Sequence, residues 1–459
     1  MRKLVPALML LPGAGLACAL PPSVIMTLPT GYYMAGAATT VAVTALIGGT
    51  AHHLPAMRAR VLWERRVLMP TSLSSYLGFL VFLGLIAVGL FGSTDPYHNL
   101  LTLVFWVGIW VALPLASMIF GNLWRALNPW TGPVRIARTL LGRTGSTGFS
   151  RVGHWPAVLG YFGFIWFQII SLSPDDPAVL AQAALGYWAL IFVLAVLEGD
   201  NWLEQGEFLT VYLGFLARIA PFWLETGENR DRVMIGWPGA QVLRMAPLSP
   251  SAVVFVTLAL AGLTFDGLHE TFWWLGLIGE NPLEFTGRSA VQGVNTAGLL
   301  AVWALTAGSI LGALALGRGL AQHFGATCGA FWAEAGPAML AFLAIAAGYH
   351  SAHYLVTLLT SGQYALAALN DPLFRGDNLL GLPPFYVSFG FLTDQAAMML
   401  IWNLQFAAIL GAHVLAVVLA LRLSGRIGQV GAVAHLPMTA LMVAYTVLGL
   451  WLLSSPTGA

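Results

Sequence analysis

Charged residues are scarce in this sequence. Asp, Glu, Lys and Arg together make up 8% of the 459 residues, whereas hydrophobic residues make up 58%, and the mean hydropathy is +0.78. Soluble globular proteins contain about 25% charged and about 45–50% apolar residues. The scarcity of charge therefore excludes a soluble protein and predicts an integral membrane protein whose main partner is the lipid bilayer.

Cysteine is nearly absent, and the common catalytic and phosphate-binding motifs are missing. Cys18 and Cys328 lie far apart in the sequence, which excludes a disulfide framework and a cysteine metal site. The chain has no Walker phosphate loop, no Gly-x-Ser-x-Gly and no Gly-x-Gly-x-x-Gly after a strand. An ATP-driven pump is therefore not expected. The net charge of +1, without a basic domain or tail, predicts no nucleic-acid partner.

Long apolar runs fill most of the chain. A helix needs about 20 apolar residues to cross a hydrocarbon core about 30 Å thick, and the sequence offers about ten such runs. The predicted spans are approximately residues 31–49, 71–92, 99–120, 155–173, 178–198, 249–268, 290–316, 334–359, 394–421 and 435–454. The predicted fold class is all-α, a polytopic transmembrane helix bundle that forms one domain over residues 31–454.

The first 19 residues have the layout of a secretory signal peptide. They combine a basic start, a short apolar run and small residues up to Ala19. The alternative is an uncleaved anchor, but Pro6 and Pro12 disfavour a stable spanning helix in so short a run. We therefore predict a signal peptide over residues 1–19 with cleavage near Ala19.

The arginines divide unequally between the two sets of loops. If the spans alternate from an outside start, two arginines, Arg288 and Arg375, fall in outer loops and sixteen fall in inner loops. The inner set is Arg58, Arg60, Arg65, Arg66, Arg125, Arg135, Arg138, Arg143, Arg151, Arg218, Arg230, Arg232, Arg244, Arg318, Arg422 and Arg426. Positive charge marks the cytoplasmic side, so both chain termini are predicted to be periplasmic.

One further apolar stretch is too short for a comfortable span. Residues 207–223, EFLTVYLGFLARIAPFW, also contain Arg218. A crossing here would invert the arginine bias of everything that follows. The stretch therefore predicts an interfacial or re-entrant helix on the cytoplasmic side.

Four ionisable residues lie at one predicted depth on two spans. His350 and His353 are three residues apart in GYHSAHYLVTLLTSG, and Asp266 and His269 are three apart in LAGLTFDGLHETFWW. Residues three apart share a helix face, and charged groups inside a membrane are costly enough to indicate function. Imidazole and carboxylate ligands suit zinc or iron. We therefore consider a divalent-metal site formed by Asp266, His350 and His353.

The structural alternative for these histidines is helix packing. A membrane histidine often forms a hydrogen bond with a neighbouring helix, and Gly348 and Ser351 beside this pair are typical of close helix contacts. His269 falls where the headgroup region is expected, in which a histidine costs little. The pattern leaves metal binding and hydrogen bonding equally open for His350 and His353.

Other polar residues form a second candidate set, a polar path across the membrane. It comprises Glu198, Asp200, Asp394, Asn403 and His413. Glu198 is expected to be buried, because it is close to its span. The neighbouring Glu204 and Glu207 are expected to lie at a solvated helix exit.

Several segments resemble a family of bacterial polytopic membrane proteins, some members of which are called fenitrothion hydrolases. The segments are GNLWRALNPW (121–130), FDGLHETFWWLGLIGENPLEF (265–285), GYHSAHYLVTLLTSGQYALAALNDPL (348–373) and NLQFAAILGAHVLAV (403–417). The resemblance implies a multi-pass protein of the bacterial plasma membrane and a hydrolase that acts on organophosphate-like substrates.

Three functions are consistent with the sequence. The first is a metal-dependent membrane hydrolase, with His269 or Glu270 as the base or a further ligand and an apolar substrate arriving from the bilayer. The second is a secondary transporter or proton-coupled permease that moves an ion or an apolar small molecule along the polar path. The third is a subunit that holds haem between His269 and either His350 or His353.

Overall fold

The computed structural model describes residues 30–50, 56–66, 71–227, 230–284, 287–382, 387–424 and 429–457. These residues form an all-α helix bundle, as predicted, with one small sheet. The longer elements are α1 (Thr30–Thr50), β1 (Ala59–Arg66), α2 (Thr71–Phe91), α3 (Leu100–Phe120), α4 (Thr131–Leu140), α5 (Trp155–Ile170), α6 (Pro177–Glu198), α7 (Phe208–Leu216), β2 (Phe222–Glu225), β3 (Arg230–Gly236), α8 (Pro250–Leu268), α9 (Arg288–His323), α10 (Phe331–Leu340), α11 (Phe342–Asn370), α12 (Gln395–Ser424) and α13 (Gln429–Ser454). The predicted signal peptide lies outside the described residues.

Single turns of helix interrupt the connections between these elements. The short α-helices are Trp124–Leu127, Leu203–Gly206 and Phe272–Leu277. The 3-10 turns are Pro96–His98, Phe149–Val152, Asp200–Trp202, Ala217–Ile219, Val242–Arg244 and Gly390–Leu392.

Nine helices of the described chain are long and apolar enough to cross a membrane, with α10 and α11 counted as one segment, Phe331–Asn370. The protein is therefore a multi-pass membrane protein. Helix α5 is shorter, at 16 residues, yet it also joins the two ends of the bundle. The amide of His154, before its first turn, donates to Ser251, whereas Ser171 beyond its last turn accepts from Arg288.

Hydrogen bonds between the connecting segments identify which of them lie at the same end of the bundle. At the first end, Arg125 donates to Thr226, Arg135 to Asp200 and Arg138 to the carbonyl of Val196. We call this the arginine-rich end. At the opposite end, Arg288 donates to the carbonyl oxygens of Gln168, Ile169 and Ser171, and the amide of Phe272 donates to Pro456.

A three-stranded antiparallel sheet lies at the arginine-rich end, where the sequence analysis expected only loops. Its strand order is β1-β3-β2, with Ala59 opposite Gly236 and Phe222 opposite Ile235. The strands combine charged residues with Val, Trp, Met and Ile, and β-branched and aromatic residues favour extended structure. The strands are too short and too charged to be predicted as membrane spans.

The segment that contains α7 enters the bundle and returns to the end from which it came. Its N-cap, Glu207, bonds to Tyr187 within α6, whereas the carbonyl of Ile219 beyond its last turn accepts from Gly239 at the arginine-rich end. The side chains of Phe208, Leu213 and most residues between them are buried. An interfacial helix would expose a polar face, so the burial favours the re-entrant alternative.

Helix α3 is distorted in its middle. Residues Val104–Ala112 are π-helical, between α-helical turns over Leu100–Leu103 and Leu113–Phe120. The π geometry widens the helix by an extra residue per turn and is found frequently at functional sites. The distorted stretch carries Trp110, whose side chain is buried at the centre of the bundle.

Candidate functional site

Asp266 and His353 meet between helices α8 and α11. The His353 Nε2 atom lies 3.0 Å from Asp266 Oδ2. The Asp266 side chain is 14% exposed and the His353 side chain is 21% exposed, so both are largely but not completely buried. An ionisable pair within a helix bundle is costly unless its members are partnered, and here each is partnered by the other.

Two uncharged side chains complete the surroundings of the same carboxylate oxygen. The Tyr354 hydroxyl donates to Asp266 Oδ2 at 2.6 Å, and Gln168 Nε2 donates to it at 3.3 Å. The Tyr354 hydroxyl also accepts from Gln168 at 3.0 Å and from Trp110 Nε1 at 2.8 Å. A hydroxyl has one donor and two acceptor sites, so every site of Tyr354 is occupied.

These residues, which we call the Asp266 network, come from four different helices. The network consists of Trp110 (α3), Gln168 (α5), Asp266 (α8), and His353 and Tyr354 (α11). The π-helical stretch of α3 supplies Trp110, and Gln168 lies in the last turn of α5. No single span carries more than two of these residues, so the network forms only when the helices assemble.

His350 lies beside the network but does not join the carboxylate. Its Nδ1 atom lies 2.9 Å from the hydroxyl of Tyr212 on the re-entrant helix α7, and its ring packs edge-on against Trp110, with centroids 5.4 Å apart. Residues three apart on a helix differ by about 60° around the axis and about 4.5 Å along it. That offset directs His350 and His353 to different neighbours.

The three proposed metal ligands therefore do not converge. Asp266 and His353 are in contact, whereas His350 bonds to Tyr212. Over the described ranges, no group of three or more His, Cys, Asp or Glu side chains is arranged to hold a metal ion. Structural and catalytic zinc sites take at least three protein ligands, and this arrangement offers two.

His269 and Glu270 lie at the end of α8, next to the network. His269 Nδ1 is 2.9 Å from the backbone carbonyl of Asp266 and 3.2 Å from that of Phe265. Its Nε2 lies 3.5 Å from Glu270, which is 44% exposed. A haem held between α8 and α11 would require a ring nitrogen of His269 directed towards α11, but one nitrogen faces its own helix and the other faces Glu270.

The five residues of the predicted polar path have separate surroundings. Glu198 is buried and accepts from the backbone of Thr147, Phe149 and Ser150. Asp200 pairs with Arg135. The remaining three lie on α12 or at its start. Asp394 accepts from the Ala397 amide, and Asn403 accepts from the Tyr33 hydroxyl. His413 Nδ1 lies 2.9 Å from the carbonyl oxygen of Ile409. These contacts place two of the five at the arginine-rich end and do not bring the set together.

The expectation that Glu207 lies at a solvated helix exit is wrong. Its side chain is fully buried. One carboxylate oxygen accepts from Tyr187 and the Leu209 amide, and the other accepts from the amide and hydroxyl of Thr210. The carboxylate supplies the hydrogen bonds that the first turn of α7 lacks inside the bundle. Glu204, by contrast, is exposed as expected.

Sequence reasoning missed the uncharged members of the site. Trp110, Gln168, Tyr212 and Tyr354 were not singled out, because the candidate residues were acidic residues, histidines and one asparagine, Asn403. A glutamine inside the apolar run FGFIWFQII is itself a usable signal, since a buried amide needs partners. The position of Tyr354, next to His353 and one turn from His350, is a second signal.

A large apolar cavity lies beside the network, between α2, α3, α5 and α6. Its volume is about 990 Å³, at the upper end of the range for ligand pockets, about 300–1,000 Å³. The lining is almost wholly apolar and rich in aromatic side chains, including Trp124, Trp130 and Phe208. Phe164 lines the cavity and packs against Trp110, with ring centroids 4.5 Å apart, so one aromatic layer separates cavity and network.

Comparison of the chain with protein-family models, with curated proteins and with solved structures returned no match.

Proposed function

We propose that the protein is a proton-coupled permease of the bacterial plasma membrane that moves a lipophilic small molecule. The observation that carries this proposal is the pairing of Asp266 with His353 between α8 and α11, at 3.0 Å. Both groups change charge by gaining or losing a proton, and paired ionisable residues inside a bundle are typical of proton relays.

Interrupted helices around the pair support transport over a static role. Transporter sites are typically formed where helices are broken or re-enter, because such segments can rearrange. Two of them touch here: the π-helical stretch of α3 provides Trp110, and the re-entrant α7 provides Tyr212, with ring centroids 5.2 Å apart. A third irregularity is the single residue Ala341 between α10 and α11.

The apolar cavity supports a lipophilic substrate. Its lining offers almost no polar group that could bind a sugar, an amino acid or an ion. The Phe164 and Trp110 side chains connect its wall to Tyr354 and hence to Asp266. A substrate in the cavity therefore lies one aromatic layer from the proton site.

The metal-dependent hydrolase and the haem-holding subunit are less well supported. The first lacks a third ligand beside Asp266 and His353, and the second lacks a His269 nitrogen directed towards α11. The orientation that we propose places the arginine-rich end in the cytoplasm and both termini in the periplasm. Reporter tags inserted near Arg143 and near Asp377 should then be cytoplasmic and periplasmic respectively, and a cytoplasmic tag near Asp377 would contradict this orientation.

The test of the permease uses purified protein in liposomes that contain a trapped pH-sensitive dye. Fenitrothion, an apolar organophosphate triester, serves as the probe. We expect its addition to dissipate an imposed pH gradient with the parent protein and with Asp394→Asn, a control carboxylate that caps α12, but not with Asp266→Asn. Release of a nitrophenol that requires stoichiometric bound metal, with acid produced only by the hydrolysis itself and no proton flux across the membrane, would instead establish a hydrolase. Equal dissipation by all three proteins, or by none, would refute the proposal.

A further inference from the structure

A second pocket lies at the arginine-rich end, away from the Asp266 network. Its volume is about 570 Å³. It is formed by the residue before α5, the end of α7, strand β2 and the segment that leads into α8. The polar side chains that line it are His154, Arg218, Glu225, Gln241, Arg244 and Ser249.

The side chains that line the pocket carry a net positive charge, because only one of its two arginines has an acidic partner. Arg244 lies 3.4 Å from Glu225, which also accepts from Trp223 Nε1. Arg218 is exposed and has no ion pair or side-chain hydrogen bond with any described residue. Burial lowers the pKa of His154 below its usual value, so this imidazole is neutral at pH 7. The unneutralised charge is that of Arg218.

The backbone adds to this positive character. Helix α8 begins at Pro250, and both its cap Ser249 and its residue Ala252 line the pocket; Ser249 accepts from the Ala252 amide. A helix of 19 residues has a partial positive charge at its N-terminus, which favours an anion nearby. The Arg218 guanidinium, the Arg244 guanidinium in its ion pair and the N-terminus of α8 thus border the same open pocket.

We propose that this pocket binds a phosphate group. Guanidinium groups bind phosphate oxygens through paired, charge-assisted hydrogen bonds, and Ser249 and His154 provide further polar groups on the same wall. The remaining lining is apolar and includes Phe215, Leu224 and Leu248, which suits the carbon part of a phosphate ester. The phosphate comes either from a lipid headgroup or from a soluble phosphate.

The test compares Arg218→Gln with Arg232→Gln in the full-length purified protein. Arg232 is a matched control, because it is also exposed at the arginine-rich end, lies outside the pocket and pairs with Glu64. Thermal unfolding is followed while inorganic phosphate is titrated at constant ionic strength with chloride. In parallel, native mass spectrometry counts the phosphatidylglycerol and phosphatidylcholine molecules that each protein retains.

Loss of a charge-assisted hydrogen bond costs enough to weaken binding about tenfold. We expect Arg218→Gln to unfold normally without phosphate and to need about tenfold more phosphate for the same thermal shift, with Arg232→Gln like the parent. If a lipid is the source, free phosphate gives no shift, and Arg218→Gln retains less phosphatidylglycerol but the same phosphatidylcholine. Indistinguishable behaviour of Arg218→Gln and Arg232→Gln in both measurements would overturn the proposal.

Discussion

Replacing Tyr354 by Phe provides the sharpest test of the Asp266 network. The change removes a single oxygen atom and keeps the ring. That oxygen makes three hydrogen bonds, with Asp266 at 2.6 Å, Trp110 at 2.8 Å and Gln168 at 3.0 Å. The substitution therefore removes the centre of the network with little change in packing.

The magnitude follows from the number of bonds. Hydrogen bonds between membrane helices average about 0.6 kcal/mol, so the loss of the two bonds to Asp266 and Gln168 costs about 1 kcal/mol. Trp110 is 3% exposed, and its N–H would be left without an acceptor, which costs about 1–3 kcal/mol for a buried group. We expect Tyr354→Phe to lower the free energy of unfolding by about 2–4 kcal/mol.

Tyr33→Phe is the matched control, since the Tyr33 hydroxyl makes one bond, to Asn403 at 3.1 Å, in an exposed position. We expect a loss of about 0.6 kcal/mol or less there. Reversible unfolding in mixed micelles with increasing denaturing detergent measures both variants. If Tyr354→Phe costs no more than Tyr33→Phe, the three bonds do not stabilise the protein and the network is not a structural unit.

Two further predictions concern packing and surface charge. Gly348→Ala should destabilise the protein by about 1–3 kcal/mol, because its new methyl group would lie 2.7 Å from the Ala408 carbonyl oxygen on α12. The control Gly362→Ala should be nearly neutral, since the nearest atom to its new methyl group is 3.9 Å away. The same unfolding assay measures both variants, and equal losses of stability would contradict the close contact between α11 and α12. Arg135→Ala breaks a partly exposed ion pair with Asp200 and should cost less than about 1 kcal/mol, which a thermal melt in detergent at two salt concentrations can check.

The fold was largely predictable, because a bilayer requires long apolar helices and such runs are visible in the sequence. The predicted run at residues 155–173 corresponds to α5, which is only 16 residues long. It appeared longer because the uncharged residues Ser171, Leu172 and Ser173 follow the apolar run, whereas the helix ends at Ile170 and Arg288 donates to the carbonyl of Ser171. The sheet was missed because strand β3, RDRVMIG, is short and half charged.

The site was predictable only in its charged members. Asp266 and His353 could be identified because ionisable residues inside spans are rare, whereas their partners Tyr354 and Gln168 are uncharged and were passed over. The depth of His350 along α11 can be estimated from the rise per residue of a helix, but the neighbour that its side chain faces cannot. A difference of about 60° around the axis sends it to Tyr212 on α7, and the position of α7 depends on the assembled bundle.

The geometry at Asp266 also determines where a proton can be added. His353, Tyr354 and Gln168 all bond to one carboxylate oxygen, Oδ2, and no described residue donates to Oδ1 in the same way. A proton that binds at Oδ1 therefore leaves the three existing bonds in place. Asp266→Asn, with its carbonyl oxygen at the Oδ2 position and its amide group at the Oδ1 position, imitates that protonated state. We accordingly expect Asp266→Asn to fold with a stability within about 1 kcal/mol of the parent and yet to move no protons, whereas a large loss of stability would mean that the negative charge itself holds the network together.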